Sequence, residues 1–236
     1  MTGENYPDLS PDPTVPAADE VQHPENPSFW PMLIALGLIA LLIGGLAGYW
    51  FGRARVPGDD SIDVGFARDM SVHHEQAVQM AALAYDRAQD PAVRSLAFDI
   101  LTTQQGQIGI MSGWLDAWGR AWTSSGPRMA WMGMPVNGLM PGMATAEQMA
   151  ELRAATGEQA EILFLQLMIP HHQGGLDMAR HAAGDASQVV VRRLAQGIVD
   201  AQTLEIEYME ELLAARGQTP PPSLPTMDMG DDGHEH

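Results

Sequence analysis

The chain contains the stretch Met70-Ser-Val-His73-His74 and repeats it 98 residues later as Met168-Ile-Pro-His171-His172. On a helix, a side chain shares a face with the side chains three and four positions further on. The methionine of each copy therefore lies on the same face as its two histidines. Thioether and imidazole groups gathered in this way are candidate metal ligands, and soft thioether ligands favour Cu(I).

The repeat extends far beyond the histidines. Without a gap, residues 63–119 align on residues 161–217 with 19 identities in 57 positions. Such self-similarity indicates a duplicated structural unit. In each half, apolar residues recur at three- and four-residue spacing, which predicts helices, and Asp90-Pro91 is a typical helix start. We expect an all-α fold, in which hairpins 63–119 and 158–217 form an antiparallel four-helix bundle with pseudo-twofold symmetry.

The remaining segments differ sharply in composition. Residues 1–28 are acidic, rich in proline and free of arginine, which predicts a disordered tail. Residues 29–51 carry no charge and have aromatic residues at both ends, which predicts one transmembrane helix. A linker, 52–62, leads to the bundle domain. A methionine-rich loop and a short helix, 123–157, separate the hairpins, and a polar tail with Met and His residues, 218–236, ends the chain.

Charge and cysteine content exclude two kinds of function. The chain has 236 residues and a formal net charge of −18, and all 12 of its basic residues are arginine. This charge argues against a nucleic-acid partner, which requires a basic face. There is no cysteine, so the chain has neither disulfides nor thiolate metal sites. A metal site would have to use imidazole, thioether and oxygen ligands.

The predicted bundle gathers the candidate ligands in its interior. The leading set is Met70, His73, His74, Met168, His171 and His172. Additional candidates in the helices and in the loop are Met80, Met178, Met111, Met209, Glu205, Met132, Met134, Met140 and Met143. Neighbouring side chains on a helix point about 100° apart, so one ring of each histidine pair can have a structural role instead. The additional methionines are explained equally well as packing residues.

The residue before the histidines distinguishes between metals. Ferritin-like carboxylate bundles carry Glu-x-x-His on two helices, whereas both halves of this chain carry Met-x-x-His. The soft thioether favours Cu(I), and by the same logic Ag(I), over iron. An iron-containing oxidase centre would have to draw its carboxylates from Glu205, Asp63 or Glu161.

Three stretches carry a resemblance to a known family. Met70-Ser-Val-His73-His74, Met168-Ile-Pro-His171-His172-Gln173 and Met140-Pro-Gly-Met143 closely resemble the domain of unknown function 305 family, DUF305, over about residues 60–217. The resemblance implies a ferritin-like four-helix bundle. Through the CopM-like members it implies copper binding and copper resistance outside the cytoplasm. By position it also implies that the leading set of Met and His residues holds the metal.

The expected function is that of a membrane-anchored, extracytoplasmic copper-binding protein that sequesters or transfers Cu(I) without turnover chemistry. Arg53 and Arg55 follow the apolar segment and no basic residue precedes it, which by itself favours a cytoplasmic domain, although large domains can translocate despite local charge. Two alternatives remain open: a ferritin-like metal-dependent oxidase, and a structural or assembly subunit of a membrane complex. The Gly44-x-x-x-Gly48 pattern is compatible with a homodimer or a larger complex.

Overall fold

A computed structural model describes residues 28–53 and 56–225 of the chain. The chain divides into two compact units, residues 1–52 and 53–236. The predicted N-terminal tail lies outside the described residues except for Ser28, and the predicted C-terminal tail lies outside them from Thr226 onward. The architecture of each unit can be followed separately.

The first unit contains one described helix, α1, Trp30–Arg53, which ends one residue beyond the unit boundary. Its segment Trp30–Trp50 is long and apolar enough to cross a membrane by length and composition. The apolar side chains along this segment are exposed, Leu41 to 74%. A helix of this length therefore exists where the uncharged sequence predicts one.

The regular secondary structure of the second unit is helical, and its described residues contain no β-strand. Its α-helices are α2, Ile62–Arg87; α3, Pro91–Ala117; α4, Ala146–Ala154; α5, Gly157–Asp185; and α6, Val189–Ala215. A short 3-10 turn, Ala130–Met132, precedes α4. Helix α2 packs on α3 and α5 packs on α6, and the two hairpins meet mainly between α2 and α5, with a smaller contact between α3 and α6.

The helix ends follow the sequence signals closely. Asp90 accepts a hydrogen bond from the Ala92 amide and caps α3, with Pro91 in the first turn. Thr145 and Gln148 form a reciprocal capping box at the start of α4. Helix α5 continues through Pro170 without interruption. Local sequence chemistry thus explains where these helices begin.

Two acidic side chains join the hairpins to each other. Glu161, in the first turns of α5, accepts hydrogen bonds of 2.8 Å from the backbone N–H groups of Gln89 and Asp90, which lead into α3. Asp63, at the equivalent position of α2, accepts one of 2.8 Å from Gln188 N–H at the start of α6. Each first helix therefore caps the second helix of the opposite hairpin, where the free amides favour a carboxylate.

The core consists of two methionine-containing apolar clusters that the repeat relates to one another. One cluster includes Met80, Met168 and Met209. The other includes their counterparts Met178, Met70 and Met111, together with Met129, Met132 and Met140 from the loop. The six helical methionines are fully buried. They contribute to the packing of the core whether or not they also bind a metal.

Replacement of Glu161 by alanine should destabilise the protein. The change removes the acceptor for two backbone amides and leaves Arg216, which lies 2.8 Å from Glu161 Oε2, without its buried partner. We expect the free energy of unfolding to fall by about 3 kcal/mol. Urea unfolding of the full chain in detergent, followed by tryptophan fluorescence, measures this change.

The matched control is Glu211→Ala, an exposed position on α6 that should change the stability by no more than about 0.5 kcal/mol. Equal effects of the two substitutions would show that the exchanged caps do not stabilise the fold.

Candidate metal centre

Four fully buried histidines lie at the contact between the hairpins. His73 and His74 come from α2, and His171 and His172 come from α5. The rings of His73 and His171 are in contact, with centroids 3.9 Å apart. The rings of His171 and its neighbour His172 diverge, with centroids 6.4 Å apart. The duplication therefore brings one histidine of each pair together across the α2–α5 interface.

The other histidine of each pair turns toward the second helix of its own hairpin. His74 Nε2 lies 2.8 Å from Gln107 Oε1 on α3, and His172 Nε2 lies 2.6 Å from Glu205 Oε2 on α6. Residues 107 and 205 are equivalent in the repeat. The two histidines therefore make the same contact in each hairpin, but with different acceptor groups. One acceptor is a neutral amide and the other is a carboxylate.

His73 has a third kind of partner. Its Nε2 lies 3.2 Å from the backbone oxygen of Pro141, in the loop between the hairpins. His171, the counterpart of His73, has no hydrogen-bond partner at either ring nitrogen among the described residues. The loop covers the two histidines unequally. The layer formed by the four buried histidines is therefore not exactly symmetric.

These contacts determine which nitrogen of each ring can bind a metal. The oxygens of Pro141, Gln107 and Glu205 accept hydrogen bonds from Nε2–H, so in the neutral form of each ring the lone pair lies on Nδ1. In all three rings Nδ1 is buried and has no partner in the described chain. Metal-binding histidines commonly have this arrangement, with one nitrogen donating to a protein oxygen and the other free to ligate.

The unsatisfied polar atoms are concentrated in this layer. Among the described residues, the buried side-chain N and O atoms without a hydrogen-bond partner belong to His73, His74, His171, His172, Gln104 and Gln202. The two glutamines are equivalent in the repeat, and each is 3% exposed. An unpaired buried polar group costs about 1–3 kcal/mol, and a cluster of them usually marks a site for an ion or ordered water. These unpaired donors make the layer the candidate metal site of the described chain.

Burial favours the neutral form of three of these imidazoles. It lowers the pKa of His73 to about 4 and that of His74 to about 3, and the neighbouring histidines add to the effect. Burial also holds the pKa of His171 well below its usual value, with repulsion from the other three rings adding to it. At neutral pH these rings are unprotonated, which is the form that binds metal.

The candidate methionines occupy several environments. Met70 and Met168 are fully buried in opposite clusters, as are Met80, Met111, Met178 and Met209. In the loop, Met132 and Met140 are buried, whereas Met134 and Met143 are partly exposed. Within residues 28–53 and 56–225, no three His, Asp or Glu side chains converge closely enough to hold an ion. The imidazoles form a layer, and they do not surround a single point.

Two of the three carboxylates suggested for an iron centre have other roles in the structure. Asp63 and Glu161 each precede the first histidine of their half by ten residues, about 15 Å along the helix, where they cap α6 and α3. Only Glu205 touches a histidine of the layer. The arrangement therefore favours nitrogen and sulfur ligands over a carboxylate-rich iron site.

Hydrogen bonds hold a loop segment, residues 129–144, against one face of α2. We call this segment the strap. Asp69 Oδ2 accepts hydrogen bonds from Met129 N–H at 2.7 Å and from Trp131 Nε1–H at 2.8 Å. Gln76 exchanges two hydrogen bonds with the Ala144 backbone, at 2.7 and 2.9 Å. Sequence reasoning did not identify these anchors. The available signal was the spacing of polar positions 69, 73 and 76, which places them on one helical face.

Glycines let the strap approach α5 closely. A Cβ on Gly174 would lie 2.0 Å from the Pro141 oxygen, and one on Gly142 would lie 2.0 Å from the Pro170 oxygen. Gly142 also has a φ of +76°, in the left-handed region that favours glycine. Side chains at these positions would displace Pro141, whose oxygen is the partner of His73.

Known proteins share this sequence and structure. The profile of the DUF305 family, described as a domain of unknown function, matches residues 63–213. The chain belongs to the DUF305 family. No curated protein has significant similarity to it.

Three solved structures show the range of similarity to this DUF305 chain. A secreted DUF305 protein from Streptomyces coelicolor is 49% identical, with 70% of this chain and 99% of that chain covered and a TM-score of 0.67. A DUF305 fragment from Deinococcus radiodurans is 37% identical over 65% and 96% of the two chains, with a TM-score of 0.55. CopM in its Cu(I)-bound form is 26% identical over 65% and 96%, with a TM-score of 0.51.

The metal-free DUF305 domain should lose stability in acid. A histidine whose pKa is lower in the folded state than in the unfolded state binds fewer protons when folded, so stability is complete above about pH 6.5 and falls below it. With the pKa of His73 at about 4, this residue alone should lower the free energy of unfolding by on the order of 3 kcal/mol between pH 7 and pH 4. Urea unfolding at several pH values measures the loss.

A His74→Gln variant provides the comparison, because it removes one titrating ring from the layer. Its stability should change less steeply with pH. If the free energy of unfolding changes equally with pH in both proteins, groups other than His74 cause the acid sensitivity.

Proposed function

We propose that this protein is a membrane-anchored, extracytoplasmic copper-binding protein that sequesters Cu(I) or transfers it through Met and His ligands. In this proposal residues 63–217 form a ferritin-like four-helix bundle, 29–51 span the membrane, 52–62 are a linker, and 1–28 and 218–236 are tails. The observation that carries the proposal is a set of buried Nδ1 atoms that have no partner within the described chain, on rings held in place through Nε2. The protein binds its cargo without turnover.

The ligand types match a soft monovalent ion. His73, His74 and His172 would bind through Nδ1, and His171 through either nitrogen. Met70 and Met168 would supply thioethers from the same helices. Imidazole and thioether together suit Cu(I), and Ag(I) has the same preference. Small side-chain movements within the layer would be needed to bring the donors around one ion.

A structural relative supports copper as the metal. CopM has been solved in Cu(I)-bound, Cu(II)-bound and Ag-bound forms, and it is 25–26% identical to this chain. Similarity at this level favours a shared metal chemistry without specifying the same ligands. The strap methionines Met132, Met134, Met140 and Met143 remain candidates for additional thioether contacts.

Anaerobic titration with Cu(I) in competition with a chromogenic chelator tests copper binding. The full chain in detergent should withdraw Cu(I) from the chelator, and His74→Ala combined with His172→Ala should weaken binding at least tenfold, because two buried lone pairs are lost. His181→Ala is the control, since His181 lies on α5 outside the layer and pairs with Asp185.

Two results would contradict the proposal. One is a wild-type protein that leaves the chelator fully loaded. The other is equal affinity in the wild type and the double variant, with both proteins folded.

The extracytoplasmic location rests on two observations. Helix α1 meets the length and composition requirements for a membrane span, and the Streptomyces coelicolor relative is described as secreted. Thioether and imidazole ligands also tolerate an oxidising compartment better than thiolates do. Arg53 and Arg55, which follow the span, oppose this orientation only weakly because large domains translocate regardless of nearby charge.

Labelling of a single introduced cysteine tests the orientation. The chain has no cysteine, so Ser223→Cys creates one exposed thiol in the second unit. In intact cells, or in spheroplasts where an outer barrier exists, a membrane-impermeant maleimide should label Ser223→Cys and should label Thr2→Cys only after lysis. The reverse pattern would place the domain in the cytoplasm.

A further inference from the structure

The buried histidine layer contains one difference of charge between its two halves. His74 faces Gln107 and His172 faces Glu205, at equivalent positions of the repeat. The Glu205 side chain is 21% exposed, whereas the His172 side chain is completely buried. The carboxylate thus lies at the edge of the layer and touches a ring that is wholly inside it.

Among the described residues, the other buried carboxylates bind groups outside the histidine layer. Asp69, the buried carboxylate nearest in sequence to His73, directs Oδ2 to the strap amide of Met129 and to Trp131 Nε1. Asp63 and Glu161 cap helices at the ends of the hairpins. Among the described residues, Glu205 is the carboxylate that is hydrogen-bonded to an imidazole of the layer.

We infer that Glu205 is the positioning and charge-compensating residue of the metal layer, and that its single carboxylate suits the layer to a monovalent ion. The inference rests on the proposed copper-binding function. A carboxylate that accepts the Nε2 proton orients the ring and increases the electron density on Nδ1. A monovalent cation on Nδ1 together with one carboxylate leaves the layer neutral, whereas a divalent cation leaves a buried positive charge that is costly to desolvate.

Glu205 is therefore assigned an indirect role. Its Oε2 is occupied by His172 Nε2, so the residue acts through the histidine and through its charge. Gln107 provides the same geometry without the charge, which shows that the fold accepts an amide in this arrangement. Substitutions at positions 107 and 205 can therefore give the histidine layer zero, one or two carboxylates.

Four variants separate the effect of charge from that of local contact. Glu205→Gln has no carboxylate, Gln107→Glu has two, and the double variant Gln107→Glu with Glu205→Gln moves the single carboxylate to the other half. Glu207→Gln, an exposed position on the same helix, is the control. Each full chain in detergent is titrated separately with Ag(I) and Zn(II), which have fixed charges and no redox chemistry, and folding is verified by circular dichroism.

The expected results follow from charge counting. Glu205→Gln should weaken Ag(I) binding about 10- to 100-fold, the usual effect of losing a carboxylate partner of a ligating histidine. The double variant should recover Ag(I) affinity to within a few-fold of the wild type. Gln107→Glu should raise Zn(II) affinity about tenfold or more relative to Ag(I) affinity, because Coulomb attraction scales with ionic charge. Glu207→Gln should change neither affinity.

The outcomes distinguish this inference from the proposed function. Absence of Ag(I) binding by the wild type would refute copper-type binding itself. Wild-type binding that Glu205→Gln leaves unchanged would refute the role of Glu205 alone. A loss that the double variant does not restore would show a local structural contact and would also refute charge compensation. If Glu205→Gln does not fold, an unchanged ratio of Zn(II) to Ag(I) affinity in Gln107→Glu would overturn the inference.

Discussion

The contact between the buried imidazole rings of His73 and His171 lies where the two hairpins join, and the rest of the second unit is arranged around it. Helices α2 and α5 can approach closely here because burial keeps these rings neutral and Gly175 presents no side chain toward His73 and Gln202. The exchanged caps hold the same two hairpins together at their ends. The principal structural interface is therefore also the candidate metal layer, so ion binding and folding stability should be coupled.

The two hairpins are related by pseudo-symmetry, but the contacts of their buried histidines differ. The caps and methionine clusters are related by the repeat, yet the strap binds His73, while His171 has no hydrogen-bond partner in the described part of the chain. The carboxylate Glu205 stands where the other half has Gln107. An exact duplication would give two equal halves and no preferred side for an ion. These differences give the layer a direction, which suits the proposed transfer of a metal ion.

Much of the helical structure could be predicted because its signals are local. Apolar spacing, the Asp90-Pro91 start and the Thr145 capping box act within a few residues of the chain, and the structure has a helix at each of them. The repeat also predicted that both histidine pairs occupy equivalent, inward-facing positions, and all four rings are buried. The divergence of neighbouring rings follows from helix geometry alone. The membrane role of α1 and the identity of the metal ligands remain proposals.

The sequence by itself determined that the protein is helical and internally duplicated, that soft imidazole and thioether donors face inward, and that it belongs with DUF305 relatives. Only the tertiary structure decided that Asp63 and Glu161 cap opposite hairpins, that Pro141 binds His73, and which ring nitrogens have no partner among the described residues. These contacts join residues that are distant along the chain. Their formation depends on how packed helices place backbone and side-chain oxygens beside the rings, which local periodicity does not specify.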